Sequence, residues 1–209
     1  MSNVLIIESS IRQEESVSRQ LTLKFISQWR VAHPTDQIII RDVALNPIPH
    51  MDANLLGSWM KPAGQRSESE QACLERSNEL VNELVKADVL FIASPMYNFT
   101  LPSTLKACLD HEIRAGVAFK YTPARAQGLL TGKRAIILTV QGGIHADDSS
   151  DYQEPYLRQV LLFLGIHGLT FIHAEGINVS SIFREKAIRH ATALLARVFE
   201  PLPPESITD

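Results

Sequence analysis

Three short stretches carry residue types that could do chemistry together. Ser9, Ser10, Ser16 and Ser18 crowd a polar segment between an apolar run and an amphipathic one. Hydroxyls at a helix start, beside its unpaired N–H groups and dipole, favour a phosphate without adding a cation. Met96-Tyr-Asn-Phe99 follows the apolar run Val89–Ala93 and the break at Pro95, and offers flat apolar faces for a planar ring. Val140-Gln-Gly-Gly143, with His145 beyond it, brings two glycines that let backbone approach a ligand closely. Each stretch has a plain structural explanation on its own, since serines cap helices and aromatic pairs pack cores. The combination needs them at one place.

The elements predicted around them supply that place. Val4–Ile7, Gln37–Val43, Val89–Ala93, Lys133–Val140 and Leu169–Ala174 read as five strands, apolar and β-branched as strands buried in a parallel sheet are. Helical patterns separate them: one of about four turns beginning near Ser18, a Ser67/Glu70 capping box opening a helix to Lys86, Ser103–Ile113, Tyr156–Phe163 and Ile182–Phe199. Ala53–Met60 is a further short helix, Ala118–Tyr121 a short extended piece, Lys61–Arg66 an exposed excursion and Asp147–Tyr152 a charged surface turn. The fold class is therefore α/β, a flavodoxin-like doubly wound five-stranded parallel sheet of order 2-1-3-4-5 with helices on both faces. Ligands of such sheets sit beyond the carboxyl ends of the strands, where the loops after strands one, three and four meet. A phosphate cradle, a ring platform and backbone groups for a pyrimidine edge are what flavin mononucleotide requires.

Composition sets the remaining bounds. The 209 residues are read as one domain over 1–200 with a tail over 201–209, where Pro201-Leu-Pro-Pro204 ends the last helix. A net charge of −3 excludes broad attraction to nucleic acid. The amino terminus lacks a basic flank and a long apolar run, so no leader and no membrane span are expected, and the cytoplasm is the expected location. Cys73 and Cys108 match no ligand or redox spacing. The missing G-x-G-x-x-G argues against a primary Rossmann site, and no G-x-S-x-G supports a hydrolase. Gly128–Lys133 is one residue short of a P-loop and precedes a strand, and His111-Glu112 lacks the second His of a zincin helix.

On Val4-Leu-Ile-Ile-Glu-Ser-Ser10, Arg41-Asp42, Pro47-Ile-Pro49, Ser94–Phe99, Arg114–Phe119, Gly142-Gly-Ile-His145 and Ala174-Glu-Gly176, the chain resembles the FMN-dependent NADH:azoreductase and quinone oxidoreductase family. The resemblance covers nearly the whole chain. It implies that Ser10 and Ser16-Val17-Ser18 hold the phosphate and ribityl end of FMN, and that Met96, Tyr97, Asn98 and Phe99 hold the isoalloxazine. Gly142 and Gly143, after Val140 and Gln141, would meet its pyrimidine edge, and His145 would lie where nicotinamide, quinone or azo substrate stacks. It further implies ping-pong transfer from NADH in a homodimer with sites at the interface. Two departures touch the site: Val140-Gln141 stands where relatives often carry small or charged polar residues, and Gly57-Ser-Trp-Met-Lys-Pro62 stands where some place an arginine, so Trp59 and Lys61 bear on acceptor choice. A non-enzymatic flavodoxin-type carrier is the alternative; such carriers tend to be shorter and more acidic.

Overall fold

The computed structural model describes residues 1–145 and 150–199. Its main sheet contains β1 (Asn3–Glu8), β2 (Gln37–Asp42), β3 (Val89–Pro95), β6 (Arg134–Val140) and β7 (Gly168–Ala174). The strands are all parallel and ordered β2-β1-β3-β6-β7, the order expected. Alternate side chains of β1, β3 and β6 enter different cores, as the pleat requires, whereas β2, expected as a buried strand, is an edge strand with Ile39 and Ile40 exposed. Leu5, Ile7, Leu90, Ile92 and Ile137 face α3 (Glu68–Lys86), α4 (Ser103–Glu112) and α5 (Gln153–Phe163). Val4, Ile6, Phe91, Ile136 and Leu138 face α1 (Val17–Ala32) and α6 (Ser181–Arg197), where the Phe25 and Phe91 rings stack at 4.1 Å. β3 is buried along its whole length because it is central and covered on both faces.

Local signals set the helix starts. Ser16, Asp52, Ser67 and Ser180 each accept an N–H of the first turn, at α1, α2 (Ala53–Met60), α3 and α6, and the Ser67/Glu70 capping box is complete. α5 begins three residues before the expected Tyr156, because Oδ1 of Asp151 accepts the N–H groups of Gln153 and Glu154. α6 ends at Arg197 rather than Phe199. Phe119–Tyr121 is extended as expected, but it is β4 of a small antiparallel hairpin whose other strand, β5 (Ala126–Gly128), has no sequence signal. Residues 147–149 of the expected 147–152 turn, and the 201–209 tail, lie outside the described residues.

Candidate functional site

Three connections leave the carboxyl edge of the sheet together. The N–H of Met96 donates to the Val140 carbonyl at 2.8 Å, so the turn after β3 is tied to the end of β6. Ser10 Oγ lies 3.5 Å from the Tyr97 hydroxyl, which joins the β1 loop to the same turn. Between them opens a cleft. Ser10, Ser16, Val17, Ser18, Met96, Tyr97, Val140 and Gly142 line it. Sequence reasoning missed Asn178 on the β7–α6 connection, Arg184 in the first turn of α6 and Arg12 on the β1 loop, all of which line it. The rule that ligands sit beyond strand ends applied to the loop after β7 as much as to the others.

The serine side is built for an anion. Ser16 caps α1 by accepting the N–H of Arg19 at 3.3 Å, and its hydroxyl lies 2.9 Å from Ser10 Oγ and 3.0 Å from Ser18 Oγ. Three hydroxyls thus surround the helix start, while the N–H groups of Val17 and Ser18 have no protein partner among the described residues. Arg19 is directed away from the cleft: it grips Asp42 at 2.5 and 3.0 Å and the Ser10 carbonyl at 2.8 Å, and so fixes the loop.

The aromatic side is a tight hairpin. Tyr97 and Thr100 exchange both backbone hydrogen bonds, at 2.9 and 3.2 Å, around Asn98 and Phe99. Both central residues have positive φ, 49° and 69°, which is a type I′ turn. Asn tolerates that region; a bulky Phe there is strained, and such strain concentrates at functional positions. Phe99 is 55% exposed, and its ring meets that of His145 edge-on at 6.4 Å. Asn98 faces a neighbouring hollow with Leu101, Lys106 and Tyr156, on the other side of Tyr97.

The glycine loop is held from beneath. The Gly142 and Gly143 carbonyls accept the N–H groups of Asn178 and Gly176, at 3.0 and 2.7 Å. Their own N–H groups have no partner among the described residues and remain donors for a ligand edge. A Cβ on Gly142 would come 2.6 Å from Asn178 Nδ2, so a side chain there would push a cleft wall aside. Gln141 is fully buried: its backbone is spent on Ala174 and Ile177, and its Nε2 donates to Asp151 at 2.9 Å. The N–H of His145 donates to Glu175 Oε1 at 3.1 Å, and its Nδ1 lies 3.1 Å from Ser150 Oγ. Trp59 and Lys61 lie elsewhere. The Trp59 ring packs under Arg114 at 5.5 Å and lines an apolar groove, and Lys61 is paired with Glu70 at 2.7 Å.

The donor set fits FMN: unpaired N–H groups and hydroxyls at a helix start suit its phosphate, aromatic faces its ring, and open glycine N–H groups its carbonyl oxygens. Comparison with known proteins agrees. The sequence model of the family described as having a flavodoxin-like fold matches residues 2–198. Over 198 residues the chain is 67% identical to the FMN-dependent NADH:quinone oxidoreductase 2 of Pseudomonas putida, covering 95% of this chain and 100% of that one. It is 54% identical over 200 residues to the FMN-dependent NADH:quinone oxidoreductase 3 of Pseudomonas aeruginosa, covering 96% and 94%. Among solved structures, an azoreductase from Bacillus anthracis str. Sterne superposes with a TM-score of 0.88 at 26% identity, over 95% of this chain and 99% of that one. An FMN-dependent NADH-azoreductase from Bacillus anthracis str. Ames Ancestor, in complex with FMN, gives 0.87 at 27% identity, over 95% and 98%. The chain belongs to the flavodoxin-like family of FMN-dependent NADH:quinone oxidoreductases and azoreductases.

Proposed function

We propose that this protein binds FMN in the cleft and uses NADH to reduce quinones and aromatic azo compounds by ping-pong two-electron transfer. The observation that carries the reading is the convergence of three loops on one cleft, with Met96 bonded to Val140 and Ser10 beside Tyr97. When bound, FMN would supply the hydride-accepting and hydride-donating chemistry. The protein's own part is binding and orientation. Ser10, Ser16 and Ser18, with the N–H groups at the start of α1, would hold the phosphate, and the 96–99 hairpin would press on the ring. The Gly142 and Gly143 N–H groups would favour negative charge at the pyrimidine edge, where it develops on reduction. Val140 and Gln141 would shape that edge from below, the first as a wall of the cleft and the second by fixing the loop through Asp151.

The test begins with protein purified without added cofactor. A flavin spectrum that fades with anaerobic NADH and returns on adding a quinone is the expected result. A colourless protein that cannot bind FMN overturns the reading, and one that binds FMN without turning over NADH supports the carrier alternative. His145, edge-on to Phe99 at the rim, would deliver the proton that a reduced quinone or azo nitrogen takes up. His145→Ala is expected to lower kcat for the acceptor half-reaction about a hundredfold, while NADH oxidation in the first half-reaction is unchanged. An unaltered kcat with the acceptor would exclude that role.

Surface chemistry supports a homodimer. Met51, Leu56 and Met60 are exposed around a groove that also contains Trp59, Ile113 and Phe119, an apolar patch of a kind that soluble monomers seldom leave open. We assign it to a homodimer contact. No helix among the described residues is long and apolar enough to cross a membrane. We infer a cytoplasmic location from the use of NADH, and a single domain over residues 1–200.

A further inference from the structure

One carboxyl group lies directly behind the phosphate cradle and is used by no step above. Glu8 ends β1 and is 3% exposed. Its Oε1 accepts the N–H groups of Ser9 and Ser10, both at 3.1 Å, and the Ser18 hydroxyl at 3.3 Å. Its Oε2 accepts the Thr22 hydroxyl at 2.9 Å. Through Ser18 it is connected to Ser16 and then to Ser10, the three hydroxyls that line the cleft. A buried acid one hydrogen bond from an anion site opposes the anion whenever it is ionised.

We propose that Glu8 links FMN affinity to pH: the cleft holds the phosphate most tightly when Glu8 is protonated, and phosphate binding draws a proton onto it. The inference rests on the FMN reading above. A serine hydroxyl has a single hydrogen. With Glu8 ionised, Ser18 donates that hydrogen to Oε1 and turns lone pairs toward the cleft. Protonation at Oε2 reverses this without leaving any group unpaired. Thr22 Oγ1 stands 2.9 Å from both Glu8 Oε2 and the Ser18 carbonyl, so Oε2–H donates to Thr22 and Thr22 donates to Ser18. Oε1 keeps its two backbone donors, and the Ser18 hydrogen, on the longest of the four bonds, is released to the phosphate.

The surrounding charges leave Glu8 as the group that responds. Arg19 faces it from α1 but is held by Asp42 at the end of β2, so the two largely cancel. Arg12 and Glu15 lie at the mouth of the cleft, Arg184 reaches in from α6, and the Tyr97 hydroxyl faces from the β3 turn. Arginines hold their charge throughout, and Glu15 is exposed. Burial raises the Glu8 carboxyl above its ordinary value and Asp42 adds to this, against the Ser10 N–H, the Thr22 hydroxyl and Arg19. A phosphate dianion in the cradle would raise it further.

The test titrates the apoprotein with FMN, followed by flavin fluorescence, from about pH 5.5 to about 8.5, a range that includes the second phosphate ionisation near 6. Wild type and Glu8→Gln are compared, with riboflavin as the phosphate-free probe. Ionisation of FMN itself acts on both proteins alike, so the ratio of their Kd values isolates Glu8. That ratio is expected to rise at least about fivefold across the range, against a limit of about tenfold per pH unit for one linked proton. Riboflavin binding should show no such trend. Parallel curves for the two proteins overturn the link while leaving FMN binding intact, whereas wild type that binds no FMN at any pH defeats the functional reading itself. Should Glu8→Gln not fold, calorimetry of wild type in two buffers of different ionisation enthalpy decides. Binding of FMN should take up protons beyond those of riboflavin and of free FMN, and zero excess overturns the proposal.

Discussion

Protein carrying Ser16→Asp is expected to fold normally and to purify colourless, with its Kd for FMN raised about a thousandfold. Ser16 both caps α1 and lines the phosphate cradle. Asp caps helices as well as Ser does, and a negative charge suits a helix start, so the substitution leaves the fold intact. What it adds is a carboxylate where a phosphate dianion must sit. Two like charges about 4 Å apart cost about 4 kcal/mol at an effective dielectric constant near 20, and each 1.4 kcal/mol is about tenfold in affinity. Ser16→Ala, which removes the hydroxyl donor and with it the α1 cap, should weaken FMN by about tenfold. Riboflavin should bind wild type and Ser16→Asp alike. Absorbance of the purified protein, a fluorescence titration and a melting curve within about 2 °C of the wild-type apoprotein would together establish the result. A yellow Ser16→Asp protein of unchanged affinity would mean that the phosphate lies elsewhere.

That prediction uses a feature readable from sequence, because serines before a helical pattern and an apolar run before them have only a few structural outcomes. The same holds for the five apolar runs, whose spacing by helices left one sheet order to expect. What was not readable follows from contacts between distant residues. Ala126-Gln-Gly128 has no alternation and becomes a strand only because Phe119–Tyr121 lies alongside it. Asn98-Phe99 lacks the glycine that announces a type I′ turn, so its positive φ values are visible only in the structure. Glu8 looks like the first residue of a polar loop, yet it ends a strand and is buried by α1. Gln141 and Gln153 look like solvated polar residues, but both are fully buried, donating to Asp151 and Ser94 and fixing the glycine loop and the start of α5. Periodicity therefore locates the rim of the sheet, and long-range hydrogen bonds decide which side chains at that rim face the ligand.

The same blindness applies to Glu112, where it matters for stability. His111-Glu112 resembles half a metal motif, but His111 Nε2 lies 2.9 Å from the Pro49 carbonyl, and no metal-holding cluster occurs among the described residues. Glu112 ends α4, is 1% exposed, and its Oε2 has no partner among the described residues. Burial pushes its carboxyl up to about 8 and Glu83 adds to this, while the Cys108 thiol and Arg41 offset part of it. The raised value fixes the sign of the effect. Below the ordinary value of 4.5 both folded and unfolded chains hold the proton, so Glu112 is neutral in each and costs nothing extra. As pH rises from there toward 8, the unfolded chain gains by ionising and the folded one does not, so stability is lost across that window. The full penalty is on the order of 4 kcal/mol. Glu112→Gln keeps the shape and removes the ionisation, and is expected to stabilise the FMN-free protein by about 3 kcal/mol at pH 8, a rise in Tm of roughly 8 °C. Near pH 4 the two proteins should melt together. A Tm difference that does not change with pH, or a Gln variant that melts lower at pH 8, would show that Glu112 is ionised in the folded protein and has found a partner there.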